Sequence, residues 1–584
     1  RVSRATVWGT MSEAIRYDLL LVGGSSSNLI LAHRLLDLAK LSGLRISIAI
    51  LEKARQFGGH IVSGAICNLQ VIAKLFPNFE SQGFPHEGRV EANHLSVLGS
   101  QQRWDLPEAV IPPGFRKQGQ FILTLSHVIR WLAETLQEKA KGTPNVTLDV
   151  FPGFAAHEIL YEGERVIGVR ASDSGQVYED CIFAELTCFG DKGFISKDLI
   201  EKFQLRPNPQ LWSVGVKEVW QIPQSLQGQV WHTLGYPVLD GSFSGGFVYG
   251  LKDNRLALGL IIGLDSKNPN LNPQQRLQEF KAHPWIQSLI AGGKLLKYGA
   301  AVIPEGGYHS LPTRFGVEGA LLLGDALGVL DVGSLAGVDN AMETGYLAAG
   351  LIHDGFLKGD LRIQADYQKA VMESAVGQNL YRSRYFREAF LENSRLLEEY
   401  LPQVCRSVDA GHPWLGSLRW GLQDPVRRGR ETLRAYTLLT GRVSPSEPPP
   451  RSYVAPHAAI QADFVAPTAL APQELASRPG YFSRPDAVFF ADPRYPEGNR
   501  HILEFDAETC RRCIATYDKL NRPTPCVADC TAEVHHIRDQ NGIRSHAMSL
   551  ENCIQCRTCE IICPHLNLRV NPSYEGSGPD FYGL

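Results

Sequence analysis

Two cysteine runs near the C-terminal end constrain this chain more than any other feature. They read Cys510-x2-Cys513-x12-Cys526-x3-Cys530 and Cys553-x2-Cys556-x2-Cys559-x3-Cys563-Pro564, and they hold eight of the twelve cysteines. Cys67, Cys181, Cys188 and Cys405 are scattered through the rest. A disulfide framework would be spread over a small secreted domain, so thiols gathered at one end of 584 residues point to metal. Short x2 spacing lets successive thiolates converge on one iron–sulfur cubane. In a run of the second kind the fourth cysteine ligates the other cluster. The spacing therefore assigns Cys530, Cys553, Cys556 and Cys559 to one [4Fe–4S] cluster, and Cys510, Cys513, Cys526 and Cys563 to a second. The competing reading is a pair of four-cysteine zinc sites. Three cysteines at x2 spacing followed by Cys-Pro favour iron–sulfur, and hence a module that moves electrons.

The opposite end of the chain reads as a nucleotide-binding unit. Tyr17 to Val22 (YDLLLV) is a buried parallel strand, Gly23 to Ser27 a turn, and 28–40 a helix. Residues 45–51 form a second strand that ends at Glu52. The dinucleotide fingerprint wants glycine at positions 23, 25 and 28. Only Gly23 is present; Ser25 and Asn28 occupy the other places. Strain of about 1–3 kcal/mol is expected at each, which weakens binding without abolishing it. Glu52 is placed to accept from a ribose hydroxyl. Gly324-Asp325, after Leu321 to Leu323, reads as a second flavin-contacting motif, and Gly337 to Met342 as a helix N-terminus aimed at the flavin. Singly, Glu52 reads as a solvated strand end and Gly324-Asp325 as a plain turn. In this order they predict FAD held at Gly23, Gly24, Ser25, Glu52, Gly324, Asp325 and Gly337.

The formal charge of -3 gives no basic excess for nucleic acid. No apolar run reaches the length of about 18 residues needed for a spanning helix, so membrane contact is expected to be peripheral. Candidate interfacial stretches are Leu106 to Leu125, and Leu401 to Leu422 with Trp414 and Trp420; core or domain-interface packing explains them equally well. Alternating stretches at 146–187 and 211–263 predict antiparallel strands of a second sheet. Eleven of the 35 prolines lie between Gly441 and Arg500 and predict a linker or extended wrap. Residues ahead of Met11 read as a transit remnant, an upstream read-through or an unstructured tail. His60, His535 and His536 are read as structural histidines.

Several longer stretches are similar to one family. They are Gly59-His60-Ile61-Val62-Ser63-Gly64-Ala65, Gly263-Leu264-Asp265 with Asn268-Pro269, Lys281-Ala282-His283-Pro284, Gly292-Gly293-Lys294 with Tyr298-Gly299-Ala300, and Pro304-Glu305-Gly306-Gly307. The tail adds Asn552 through Ile561 and Gly578-Pro579. From about Tyr17 to Leu584 the chain resembles the electron transfer flavoprotein–ubiquinone oxidoreductase family, and the related pairing of a Fix-type flavoprotein with its ferredoxin partner. The resemblance implies an α/β fold: a Rossmann-like FAD-binding body with an inserted antiparallel sheet and a C-terminal ferredoxin-like domain. The implied division is 1–16 tail, 17–200 and 301–360 FAD-binding, 201–300 sheet domain, 361–440 helical membrane- or partner-facing region, 441–500 linker and 501–584 iron–sulfur domain. It further implies an electron transfer flavoprotein-like donor, a quinone acceptor and FAD, with one [4Fe–4S] cluster on Cys530, Cys553, Cys556 and Cys559. The implied location is peripheral, on the cytoplasmic face of a bacterial inner membrane or the matrix face of a mitochondrial one.

Three departures stand out: the depleted phosphate loop, Phe189-Gly190 with Lys192-Gly193 for the usual Glu-Gly and Arg-Gly, and Asp331 to Leu335 without basic or proline character. The expected function is therefore an oxidoreductase passing electrons from donor to quinone. The alternatives are a flavin-less scaffold or relay subunit, and a Fix-type flavin subunit with its ferredoxin fused on.

Overall fold

The computed structural model describes residues 15–63, 65–172, 180–443, 453–467, 470–574 and 576–584. The expected tail lies outside these residues as far as position 14, and β1 (Ile15–Val22) takes in its last two. Leu19 to Val22 are buried, as a strand covered on both faces requires. Ser25 caps α1 (Ser26–Ser42), which Gly43 closes at φ 74°. The chain then returns as β2 (Ile46–Glu52), parallel to β1. On the other side of β1 lies β3 (Asp180–Phe189), also parallel, followed by Ala320–Leu322. Val146–Pro152 extends the sheet beyond β2. The C-terminal ends of these strands thus share one edge, where open α/β sheets bind ligands.

This corrects one expectation. Residues 146–187 do not begin a second sheet but complete the first. Val146–Pro152 and β3 pair in parallel with β2 and β1, and only the hairpin of Ala155–Glu162 and Arg165–Ser172 is antiparallel. Alternation along the chain cannot tell which neighbour a strand will find. Behind the sheet, α2 (Val338–Lys358) packs on α1 so closely that a Cβ on Gly345 would lie 1.9 Å from the carbonyl oxygen of Ser27.

The second sheet runs in the order Lys294–Pro304, Trp212–Gln221, Arg255–Gly263, Ser244–Leu251, Gln229–Gly235, Ala92–Leu98, Arg103–Asp105. Its last two strands come from the part expected in the FAD-binding body, and Gln229–Gly235 meets Ala92–Leu98 in parallel. The family motif around Lys281 is structural here. Lys281 Nζ pairs with buried Glu218 at 3.0 Å and donates to Gly480 O at 2.6 Å, pinning the proline-rich segment to the sheet. That segment is no plain linker. Pro456–Ala459, Pro472–Ala476 and Arg484–Ala491 are short helices, each with proline in its first turn, where the missing N–H costs nothing.

Ahead of the segment, α3 (Pro413–Gln423) and α4 (Pro425–Leu439) follow each other with only Asp424 between them. After it, α5 (Ala507–Asp518), two small antiparallel pairs and the tail make the cysteine module. The module shares its core with the second sheet: Ile554, Ile561, Ile562, Phe581 and Leu584 pack with Tyr298 and Val302. Gly299 allows the close approach, since a Cβ there would sit 2.4 Å from Leu584 Cδ2.

Candidate functional site

One cavity of about 780 Å³ joins all three parts of the fold, a size suited to a large cofactor or ligand. Gly23 to Ser27, Glu52, Asp325 and Gly337 to Asp339 line one end, which collects every candidate FAD residue except Gly324. Gly324 opens the short helix that carries Asp325, at φ 53°. The first amides of α1 lack intrahelical acceptors, which suits them to a phosphate. Glu52 is buried, which raises its carboxyl. Its oxygens accept from Gly24 N at 2.9 Å and Ala54 N at 2.7 Å. Asp325 Oδ2 stands 3.9 Å from Lys192 Nζ, so one of the departing residues supplies a cation beside that carboxylate.

The strain expected from Ser25 and Asn28 is relieved locally. Ser25 Oγ turns back to accept from Asn28 N at 3.4 Å and contacts Ser27 Oγ at 3.0 Å. Asn28 is fully buried, and its Nδ2 donates to Val22 O at 3.0 Å and Gly23 O at 2.9 Å. The room comes from β3's end: a Cβ on Gly190 would lie 2.4 Å from Ser25 Oγ and 2.8 Å from Asn28 Nδ2. The glycine lost from the helix is compensated by one on the facing strand, so the crevice stays open and its residues fit a dinucleotide.

The segment Asp331 to Leu335 is likewise ordered by its own acid. Asp331 Oδ1 accepts from Gly333 N at 3.0 Å and Ser383 Oγ at 2.6 Å. The basic group it lacks reaches in from elsewhere, as Lys117 Nζ donates to Ser334 O.

Ile554 to Arg557 form part of the same cavity wall. Cys530, Cys553, Cys556 and Cys559 lie close enough to bear on one another's ionisation. Val534 N donates to Cys530 Sγ at 3.2 Å, and Gln555 N to Cys553 Sγ at 3.3 Å. Cys510, Cys513, Cys526 and Cys563 gather around a separate small cavity. Asn567 serves two of them, its N to Cys563 Sγ and its Nδ2 to Cys510 Sγ, both at 3.2 Å. None of the eight is in a disulfide. Burial pushes the Cys510 thiol up to about 12 and the Cys513 thiol up to about 11. Such thiols stay protonated until a metal displaces the proton. Amide donors on sulfur fit iron–sulfur clusters at both places. The second set also borders His535 and His546; Cys526, His535 and His546 have ligand atoms within 4.8 Å of one another.

Lys53, which the sequence did not single out, links the two ends. Lys53 Nζ lies 2.7 Å from both Gln555 Oε1 and His60 Nδ1, next to Glu52 on one side and the first cysteine set on the other. Burial lowers Lys53 to about 8 and holds His60 neutral. Gln555 sits between two ligand cysteines, which was the one available signal. Farther along the cavity, His232 Nε2 lies 2.8 Å from Tyr249 OH, while its Nδ1 is buried without a partner among the described residues. Nothing in a lone strand histidine could have flagged it.

The cavity continues past Phe115, Phe243 and Phe386 to Trp420 of α3 and Ala435 and Tyr436 of α4. Of the two interfacial candidates, Leu106 to Leu125 is divided: Ile111 and Phe121 to Leu123 are buried, while Pro107 to Val110 are exposed, Val110 at 59%. Trp420 is buried too, stacked under Arg428 at 3.5 Å. Trp414, Leu418, Leu422, Val426, Leu433 and Tyr436 of α3 and α4 are exposed. Among the described residues no helix is long and apolar enough to cross a membrane.

Residues 212–303, most of the second sheet, match the family profile described as ETF-QO, ubiquinone-binding. The mitochondrial electron transfer flavoprotein-ubiquinone oxidoreductase of Arabidopsis thaliana is 28% identical over 99% of this chain and 86% of its own length. That of Homo sapiens is 29% identical over 97% of this chain and 89% of its own. Among solved structures, a geranylgeranyl bacteriochlorophyll reductase-like protein from Thermoplasma acidophilum covers 68% of this chain and 92% of its own, with TM-score 0.52 and 14% identity. That likeness speaks to the fold alone. Over nearly its whole length, and through the sheet at 212–303, the chain is similar to electron transfer flavoprotein–ubiquinone oxidoreductases.

Proposed function

We propose that the protein is an electron-transferring-flavoprotein dehydrogenase that takes electrons from an electron transfer flavoprotein-like donor and delivers them to a quinone. One observation carries this reading: a single cavity runs from the phosphate loop of α1, past Cys556, to the apolar side chains of α3 and α4. Residues Gly23 to Ser27, Glu52, Asp325 and Gly337 would hold FAD. Cys530, Cys553, Cys556 and Cys559 would hold one [4Fe–4S] cluster, and Cys510, Cys513, Cys526 and Cys563 a second. When bound, the clusters carry single electrons and the flavin collects them in pairs.

The chain's own residues position and seal. Lys53 and Gln555 bridge the ribose end to the first cysteine set. Phe115, Phe243 and Phe386 make the far end apolar, as a quinone ring and tail require. With Tyr249 O–H donating to Nε2, His232 keeps its proton on Nδ1 and offers a quinone carbonyl a donor. The exposed apolar side chains of α3 and α4 would meet the surface of the membrane that holds the quinone. That membrane is the bacterial inner membrane on its cytoplasmic face, or the mitochondrial one on its matrix face.

Anaerobically purified protein should release FAD on denaturation, contain iron with acid-labile sulfide, and reduce a short-chain quinone when given a reduced electron transfer flavoprotein. Iron and sulfide without flavin would make the chain a relay subunit instead. Zinc in the cysteine sites would overturn the redox reading.

A further inference from the structure

Beside the cavity mouth, α4 carries a second feature that electron transfer does not use. Arg395, Arg427, Arg430 and Arg434 line a separate surface cavity of about 370 Å³, in which Glu431 is the one carboxylate among the described lining residues. Glu431 is already shared. It accepts from Arg427 and from Arg428, each at 3.0 Å. Arg430 is exposed and has no ion-pair partner among the described residues. Arg395 pairs with Glu399 at 3.5 Å, so the charge left for a ligand is centred on Arg430, whose guanidinium suits an oxyanion.

The helix also fixes what surrounds that anion. Arg427, Glu431, Arg434 and Leu438 follow the i, i+4, i+7, i+11 spacing of one stripe, which walls the cavity. Val426 and Leu433 form the neighbouring stripe, each 66% exposed, and Arg430 lies on the border between the two. Leu422, also 66% exposed, carries the apolar strip onto α3. Basic groups at the edge of an exposed apolar helix face match a bilayer surface, with charge at headgroup depth and side chains at the acyl boundary.

We propose that this cavity binds the phosphate headgroup of an anionic phospholipid and so holds the quinone mouth against the bilayer. The proposal rests on the membrane-facing reading above. Ala435 lines both cavities, so one helix serves headgroup and quinone access together.

Flotation of the full chain with vesicles of phosphatidylcholine, alone or mixed with phosphatidylglycerol, tests it. Binding to both is expected, tighter to the mixture. Arg430→Gln should weaken binding to the mixture about five-fold while leaving neutral vesicles and turnover of a soluble quinone unchanged. Arg419→Gln removes an exposed arginine of α3 outside the cavity and should have a distinctly smaller effect. Neutral binding with no gain from the anionic lipid would overturn the headgroup site and leave the membrane reading intact; no binding to any vesicle would overturn both. Equal losses in the two variants would reduce the cavity to diffuse surface charge. A thermal shift produced by inorganic phosphate alone and lost in Arg430→Gln would make it a soluble-phosphate site. Loss of donor-dependent turnover in Arg430→Gln, with vesicle binding unchanged, would make it a protein dock. Either result would overturn the lipid assignment.

Discussion

Replacing Gly190 by alanine would set a methyl carbon 2.4 Å from Ser25 Oγ and 2.8 Å from Asn28 Nδ2. Neither neighbour can yield freely, because Asn28 is fully buried and holds the carbonyls of Val22 and Gly23. Overpacking of this kind costs about 1–3 kcal/mol. If Asn28 swings aside, its two hydrogen bonds go as well, at about 1 kcal/mol each. A total near 3 kcal/mol, felt in the phosphate loop, is roughly a hundred-fold in FAD affinity. In an Asn28→Gly background the amide is gone and only the Ser25 contact remains, so the alanine should cost about 1–2 kcal/mol less. Urea unfolding and FAD titration by fluorescence, on the wild type, Gly190→Ala, Asn28→Gly and the double variant, close the cycle. Equal penalties for the alanine in both backgrounds would refute the claim that Gly190 makes room for Asn28.

Cys559→Ser and Cys563→Ser are four residues apart yet should damage different clusters, each lowering iron and sulfide by about half and leaving distinct paramagnetic signals in the reduced protein. Identical spectra for the two would defeat the partition. Tyr249→Phe should raise the KM for a short-chain quinone about ten-fold, the worth of a hydrogen bond lost through His232, with FAD and iron contents unaltered. Lys217 is buried, donates to Ser63 O, and is lowered by that burial from 10.5 to about 7. Between those two values the unfolded chain holds a proton the folded one lacks, so this group makes stability rise with pH across that window. Lys217→Met should flatten the rise in urea midpoints there; an unchanged slope would show that Lys217 keeps its proton.

The sequence specified this molecule unevenly, for identifiable reasons. Thiol chemistry demands fixed spacing, so the two sets of four cysteines could be partitioned from the runs alone, and the structure brings those same sets together. The β1–α1–β2 unit was equally legible because buried parallel strands and their turn leave a local pattern. What could not be read were relations between distant segments. Gly190 makes room for Asn28 across two strands, and Lys53 reaches Gln555 across most of the chain. Residues 92–105 join a sheet whose other strands begin at Trp212. Trp420 could be read equally as interfacial or as core, because helical spacing alone does not say which face meets Arg428.

The crossing of Cys530 and Cys563 between the two sets has a consequence for biogenesis. Each four-thiol cage draws on both runs, so the first is incomplete until Cys559 has been made and the second until Cys563 has. A chain cut before Cys559 would present only unfinished cages, and any metal they take would have to enter after both runs have been made and brought together.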